Sequence, residues 1–242
     1  MDKALVLAAG LGSRIRSVAG HRPKPLMPFA GAPVLAHNLR WLAAGGVREV
    51  WINLHYGADQ IRAAIGDGAA LGLTVHYVYE PELLGTAGAL ANIAEAVTGP
   101  MLAVYGDSLV RCDLDALGDA HRGDRAEVTV ALFDRDRHPH TGIAGGRVVL
   151  DGAGRITAFT EGAGSAAGLV NAGVYIVEPS ILDLIPRGRL VDFGRDVFPA
   201  MLSQHRPLYG WVMEDAGYCL GLDTPESHAE GLRLLETGRV AP

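Results

Sequence analysis

The residue types best suited to chemistry in this 242-residue chain stand near its start. Ala9-Gly10-Leu11-Gly12-Ser13 is a small-residue loop followed at once by Arg14 and Arg16, and Pro23-Lys24-Pro25 sets a lysine between two prolines. Glycines let backbone N–H groups approach phosphate oxygens closely, while an Arg and a Lys can neutralise them. The combination predicts a loop that holds the phosphates of a nucleoside triphosphate. It is not a dinucleotide fingerprint, because Ile15 stands where the third Gly of GxGxxG belongs and no acidic residue ends the second strand. No GxxxxGK[ST] stretch exists either. Two further carboxylates stand where chemistry could use them: Asp107 after Gly106, and Asp223 in Gly221-Leu222-Asp223-Thr224-Pro225. An Asp in either place also serves as an ordinary helix cap or turn residue.

These groups need a scaffold that brings them together. The apolar run Ala4-Leu5-Val6-Leu7-Ala8-Ala9 reads as a buried parallel strand. A helix is expected over Pro33–Gly45, a strand over Arg48–Leu54, a helix over Ala58–Ile65 and a strand over Leu73–Tyr79. A helix over Thr86–Val97 and a buried strand over Met101–Tyr105 complete the half. This alternation predicts a parallel sheet with helices on both faces, and ligands in such sheets lie beyond the carboxyl ends of the strands. The Gly10 loop, Glu80 to Gly88 and Asp107 all fall there, so they can share one cleft.

The second half changes character. Strands are expected over Glu127–Asp134, Leu169–Val177, Pro207–Met213 and Tyr218–Leu222, with a hairpin of Gly146–Leu150 and Arg155–Thr160 about Asp151-Gly152-Ala153-Gly154. Short helices fit Ser180–Ile185 and Phe193–Ser203, and Glu226–Leu235 closes the chain. The whole is an α/β chain built on a three-layer, Rossmann-like mixed sheet. It reads as one domain over 1–242, with a nucleotide half to about residue 110 and a substrate half after it.

Composition narrows the function classes. The net charge is −6, from 21 Lys+Arg against 27 Asp+Glu, which argues against a general nucleic-acid or membrane-surface binder. There is no signal-peptide pattern and no apolar run long enough to span a bilayer. Cys112 and Cys219 are lone cysteines without CxxC spacing, which fits a reducing cytoplasm and neither a zinc site nor a disulfide framework. The histidines show no ligand spacing, and the His138-Pro139-His140 stretch lies in an Asp/Arg run that reads as a solvated loop. Ser13 has no His–Asp order around it that suggests a hydrolase triad.

Taken together, LAAGLGSRIR at Leu7–Arg16 and KPLMPFAGAPVL at Lys24–Leu35 resemble the signature of the sugar-1-phosphate nucleotidyltransferases, a G-x-G-[TS]-R loop followed by K-P-[LM]-x-P. The resemblance continues at Leu84-Gly85-Thr86-Ala87-Gly88-Ala89-Leu90, at Gly106-Asp107 and at Asn171-Ala172-Gly173-Val174-Tyr175, and so spans nearly the whole chain. It implies the nucleotide-diphospho-sugar transferase fold and the reaction of an NTP with a sugar 1-phosphate to give an NDP-sugar and diphosphate. Leu7, Ala8, Ala9, Gly10, Gly12 and Ser13 would line the nucleotide, with Arg14 on the β- and γ-phosphates. Lys24 would bind the α-phosphate or the incoming sugar phosphate, and Glu80, Gly85 and Thr86 would face the base and ribose. Asp107 would hold Mg²⁺. Arg14, Lys24 and Asp107 form the implied catalytic set.

The pattern also departs from the family at two places. Many members place the metal Asp three residues before the Thr of a D-x-G-T-P ending, where this chain has Gly221; Asp223 sits closer and is the second metal candidate. For the sugar, Gly142, Glu161 and Asn171 match family positions, but Glu161-Gly162-Ala163-Gly164 stands where E-K-P is usual. Arg16 or Arg195 could replace that lysine. An Asn inside a strand is uncommon and points to a polar task, whether at the sugar or at a neighbouring turn. The chain looks most like mannose- or manno-heptose-1-phosphate guanylyltransferases, followed by the short uridylyltransferase branch acting on N-acetylated sugar phosphates. A cytidylyltransferase on a phospho-alcohol and a non-catalytic nucleotide-binding paralogue are the rival readings. The implied partners are an NTP and a sugar 1-phosphate, with no nucleic acid and no membrane; a homo-oligomer is left open. The end at Pro242 implies no appended left-handed β-helix.

Overall fold

Neighbouring apolar residues of β1 (Lys3–Leu7) face opposite sides of the sheet. Ala4 and Val6 join the layer that holds Leu35, Leu39 and Ile61, while Leu5 joins the layer that holds Leu90 and Phe198. A strand covered on both faces needs a continuous apolar run, and that is why the N-terminal stretch lacks polar alternation. The structure, a computed structural model, describes residues 1–10, 22–141, 145–162 and 168–241.

Among the described residues, β1 lies between β4 (Glu49–Leu54) and β6 (Met101–Tyr105), parallel to both, and β5 (Thr74–Tyr79) extends the sheet beyond β4. The other flank is antiparallel: β11 (Leu169–Val177) pairs with β6 and with β8 (Val128–Asp134), and β12 (Leu208–Val212) runs parallel to β8. The hairpin β9 (Arg147–Leu150) and β10 (Ile156–Thr160) turns at Asp151–Gly154 as expected and joins through β11. The sheet is therefore mixed, with its antiparallel part in the second half.

Helices α1 (Val34–Ala44) and α2 (Ala58–Ile65) cover one face, and α3 (Gly85–Ala91) covers the other. Helix α3 is shorter than expected. It closes at Asn92 and the chain tightens into a 3₁₀ turn over Ala94–Ala96. Helix α4 (Leu114–Asp124), which the periodicity did not reveal, is capped by Asp113, whose carboxylate accepts from the N–H groups of Asp115 and Ala116. Phe193–Val197 forms one π turn leading into α5 (Phe198–Ser203). The short antiparallel pair β2 (Pro28–Phe29) and β3 (Ala32–Pro33) leads into α1, and a small outer layer pairs β7 (Ser108–Arg111) with β13 (Tyr218–Gly221) under α6 (Pro225–Glu236).

His138 departs from the sequence expectation. It is buried, its Nδ1 accepting from the Asp134 N–H at 2.9 Å and its Nε2 lying 3.2 Å from the Met213 carbonyl. The Asp/Arg run around it is polar, yet the ring turns inward as a structural bridge. No helix among the described residues is long and apolar enough to cross a membrane.

Candidate functional site

A cavity of about 310 Å³ opens beyond the carboxyl ends of β1, β4, β5 and β6, within the size range of small-ligand sites. Leu7 to Gly10 form one wall, and Asn53, Glu80, Thr86, Tyr105, Asp107, Asp192 and Arg195 complete much of the rest. Of the residues singled out for the nucleotide, Leu7, Ala8, Ala9, Gly10, Glu80, Gly85 and Thr86 all reach this cavity. Gly12, Ser13, Arg14 and Arg16 of the opening loop, and Gly142, lie outside the described residues.

Strand register brings the acidic pair together. In the antiparallel β7–β13 pair, Gly221 stands opposite Ser108, so Asp107 just before β7 and Asp223 just after β13 meet at one end. Lys24, buried on the 3₁₀ turn Lys24–Leu26, reaches both: its Nζ donates to Asp107 Oδ2 at 2.7 Å and to Asp223 Oδ1. Burial alone would disfavour the ammonium, but the charges of Asp107 and Asp223 outweigh it and raise the Lys24 pKa. The ordinary capping role for Asp223 is taken by Thr224. Its hydroxyl accepts from the Ser227 N–H, and Ser227 Oγ accepts from the Thr224 N–H. Asp223 is thereby released to face Lys24.

A second cluster centres on Glu80, whose side chain is 1% exposed. Asn53 Oδ1 accepts from the Ala8 N–H at 2.7 Å, its Nδ2 donates to Glu80 Oε1 at 2.9 Å, and the Leu84 N–H donates to Glu80 Oε2 at 3.1 Å. Two side chains in series thus tie the end of β1 to the start of the α3 loop. Asn53 went unmarked in the sequence, although an Asn in the strand REVWINL carries the same cue noticed at Asn171. The loop itself is pinned at Gly85, whose φ of +75° suits glycine and whose missing Cβ makes room for the Val191 backbone.

The third cluster faces the second half of the chain. The Thr86 hydroxyl donates to Asp192 Oδ2 at 2.9 Å and accepts from the Phe193 N–H at 2.9 Å. Asp192 also receives the N–H of Gly194 at 3.0 Å through Oδ1, as cap of the turn that carries Arg195. Partial desolvation and the nearby Asp192 charge raise the Glu161 carboxyl pKa, with Arg195 opposing. Arg195 is thus a cation on the cavity wall close to Glu161, where the sequence lacks the usual lysine.

Asn171 organises the floor of this cluster. Its Oδ1 accepts from the Gly173 N–H at 2.8 Å and its Nδ2 donates to the Tyr175 hydroxyl at 2.7 Å. Gly173 has φ +73° where the pairing of β11 with β8 shifts register, and a Cβ there would stand 2.9 Å from Tyr105 Cγ. The Asn-Ala-Gly stretch is therefore a bulge, and its Asn holds the bulge closed. Asp192 and Tyr105 had no motif to announce them in the sequence.

The Nucleotidyl transferase family pattern matches residues 3–223. A mannose-1-phosphate guanylyltransferase of Mycobacterium tuberculosis is 40% identical over 242 residues, covering 99% of this chain and 66% of that protein. A UTP–glucose-1-phosphate uridylyltransferase of Synechocystis is 31% identical, covering 88% of this chain and 58% of its own length. The chain thus spans about three fifths to two thirds of the length of these relatives. HddC from Yersinia pseudotuberculosis, solved in complex with GMP-PN, superposes with a TM-score of 0.80 at 24% identity, over 97% of this chain and 100% of that one. With a matching pattern over nearly the whole length and a mixed sheet to carry it, this chain belongs to the nucleotidyl transferase family.

Proposed function

We propose that this chain transfers a nucleotidyl group from an NTP to a sugar 1-phosphate, with GTP and mannose 1-phosphate as the substrate pair. The observation that carries this reading is the convergence of Asp107 and Asp223 on the buried Lys24 beside a ligand-sized cavity. Such a group suits the joining of two phosphates. A sugar phosphate oxygen attacks the α-phosphorus in line, a new P–O bond forms, and the bond to the β-phosphate oxygen breaks with its electron pair leaving on diphosphate. Both reactants are anions, so the protein must align them and offset their charge; no covalent nucleophile is needed. Lys24 provides a fixed positive charge whose position the two aspartates set. The Ala9 and Gly10 backbone supplies N–H groups at the cavity wall, and the base lies against the Glu80–Gly85 segment in this reading.

The acidic pair fits Mg²⁺. Each aspartate is about one-third exposed, at 31% and 30%, and each gives only one oxygen to Lys24, which leaves a hard carboxylate oxygen on each for a cation. Mg²⁺ takes few protein carboxylates and fills its remaining positions with phosphate oxygens and water. Held by Asp107 and Asp223, it would supply Lewis-acid polarisation of the phosphates. Cys112 and Cys219 are buried thiols, which suits the cytoplasm.

The choice of pair rests on the Mycobacterium tuberculosis relative, and the Synechocystis relative favours UTP with glucose 1-phosphate as the second pair. The test is diphosphate release with Mg²⁺ across four NTPs and a panel of sugar 1-phosphates. GTP with mannose 1-phosphate should be fastest. Release with no pair, despite NTP binding, would replace the enzyme with a nucleotide-binding paralogue.

A further inference from the structure

A chain of hydrogen bonds with a fixed direction runs from the bulge in β11 to the cavity. It starts at the Gly173 N–H, which can only donate, so the Asn171 atom receiving it must be the amide oxygen. The other end of that amide is then NH₂, which also can only donate, so the Tyr175 oxygen accepts from it. Tyr175 is fully buried, and its own proton has the Tyr105 oxygen 3.3 Å away. That spacing is at the long end for a hydroxyl pair. With its oxygen receiving from Tyr175, Tyr105 turns its own proton elsewhere, and among the described residues no acceptor takes it. Tyr105 lines the cavity.

The ring that carries this proton is held in place. It meets Tyr175 edge-on, with centroids 6.0 Å apart, and seats against Gly173 where a side chain would not fit. An ordinary phenol loses its proton only near pH ~10, so both hydroxyls are donors at neutral pH. Asp192 lines the same cavity, which tells what kind of group would suit Tyr105. A phosphate, anionic and able only to accept, would meet repulsion there. A sugar hydroxyl can accept from Tyr105 while donating to a carboxylate, and so satisfies both.

We infer that Tyr105 is a specificity-determining residue whose hydroxyl, oriented by Tyr175 and Asn171, donates to one hydroxyl oxygen of the sugar. This rests on the transferase reading above. The experiment compares wild type, Tyr105→Phe and Tyr175→Phe in steady-state turnover of GTP with mannose 1-phosphate and with its monodeoxy analogues. Tyr105→Phe should raise KM for mannose 1-phosphate about tenfold, the worth of one hydrogen bond, and leave KM for GTP unchanged. That penalty should vanish for the single analogue lacking the hydroxyl that Tyr105 reads. Tyr175→Phe, which does not alter the cavity lining, should shift the same KM in the same direction by about threefold. Unaltered sugar kinetics in Tyr105→Phe, a loss that falls on GTP, or an equal loss with every analogue would overturn the role of Tyr105 while wild-type turnover still upholds the transferase. Absence of wild-type turnover with any pair would overturn both.

Discussion

Two groups of side chains on the cavity wall use their polar atoms differently. Asn53 and Glu80 give both ends of an amide and both carboxylate oxygens to each other and to the N–H groups of Ala8 and Leu84. Around Tyr105 and Glu161, the polar groups keep capacity in reserve: a phenol proton without an acceptor among the described residues, and a carboxylate with Arg195 nearby. The first group is a frame that fixes where strand ends and loop meet. The second is a reader, preorganised yet unsatisfied until a ligand arrives. Lys24 with its two aspartates is a third arrangement, in which a stable ion-pair cluster still has carboxylate oxygen to offer. Substitutions should therefore separate by what they cost: turnover at the aspartates, stability in the frame, sugar affinity in the reader.

The largest effect is expected at the acidic pair. Asp107→Asn keeps the shape of the side chain and an oxygen for Lys24 but removes a negative charge. Turnover should fall by about 10² to 10³-fold, in line with the loss of one charge-stabilising group, with little change in thermal midpoint. Asp223→Asn should behave likewise, and chelation of divalent cations should abolish turnover in the parent. Near-normal rates in both variants would remove the aspartates from the chemistry.

Next comes the frame. Asn53→Leu leaves the Glu80 carboxylate buried without its amide partner and the Ala8 N–H without an acceptor. Stability should drop by about 2–4 kcal/mol, measured as a shift in denaturant midpoint, because an unsatisfied buried charge costs more than the hydrogen bond is worth. Affinity for sugar 1-phosphate in the folded fraction should persist. An unchanged midpoint would contradict the division between frame and reader.

The same division explains what could be read from the sequence. The strands β1 and β6 announce themselves because burial on both faces demands unbroken apolar runs, and Leu35, Leu39 and Leu42 reveal α1 by their helical spacing. Lys24 and Asp107 were visible because residue type and motif spacing mark them. What escaped notice depends on long-range pairing. Only the family resemblance pairs Asp107 with Asp223, because their meeting follows from the register of two four-residue strands, too short to register as a periodic signal. Asp192 sits in Val191-Asp192-Phe193-Gly194, where nothing local indicates that Thr86, 106 positions earlier, will hold it. Tyr105 looks like the last residue of a core strand, and only the bulge at Gly173 turns it into part of a wall. Asn171 carries its cue as an amide in a strand, and the structure supplies its partners: a bulge N–H and a phenol.

Thr86 joins frame and reader, and so should show both costs at smaller size. Thr86→Val keeps the shape but leaves the Phe193 N–H unpaired and removes the proton held by Asp192. A loss of about 1 kcal/mol in stability is expected, together with a rise in KM for the sugar phosphate. A midpoint shift without any change in that KM would assign Thr86 wholly to the frame.

The mildest test acts on the reader without removing a polar group. A Cβ at Gly194 would collide with Glu161 Oε2 and stand 3.0 Å from a ring carbon of Phe159. The carboxylate is the end of a flexible side chain and can move aside, so Gly194→Ala should displace Glu161 while the turn over Phe193–Val197 survives. Overpacking of this kind costs about 1 kcal/mol when the neighbour can yield. The sugar phosphate KM should rise severalfold, since a misplaced acceptor loses most of one hydrogen bond, and the NTP KM should stay put. The Asn53–Glu80 frame shares no hydrogen bond with Gly194, so a change confined to NTP affinity would mean that Glu161 faces the nucleotide and that the two clusters have been given the wrong ligands.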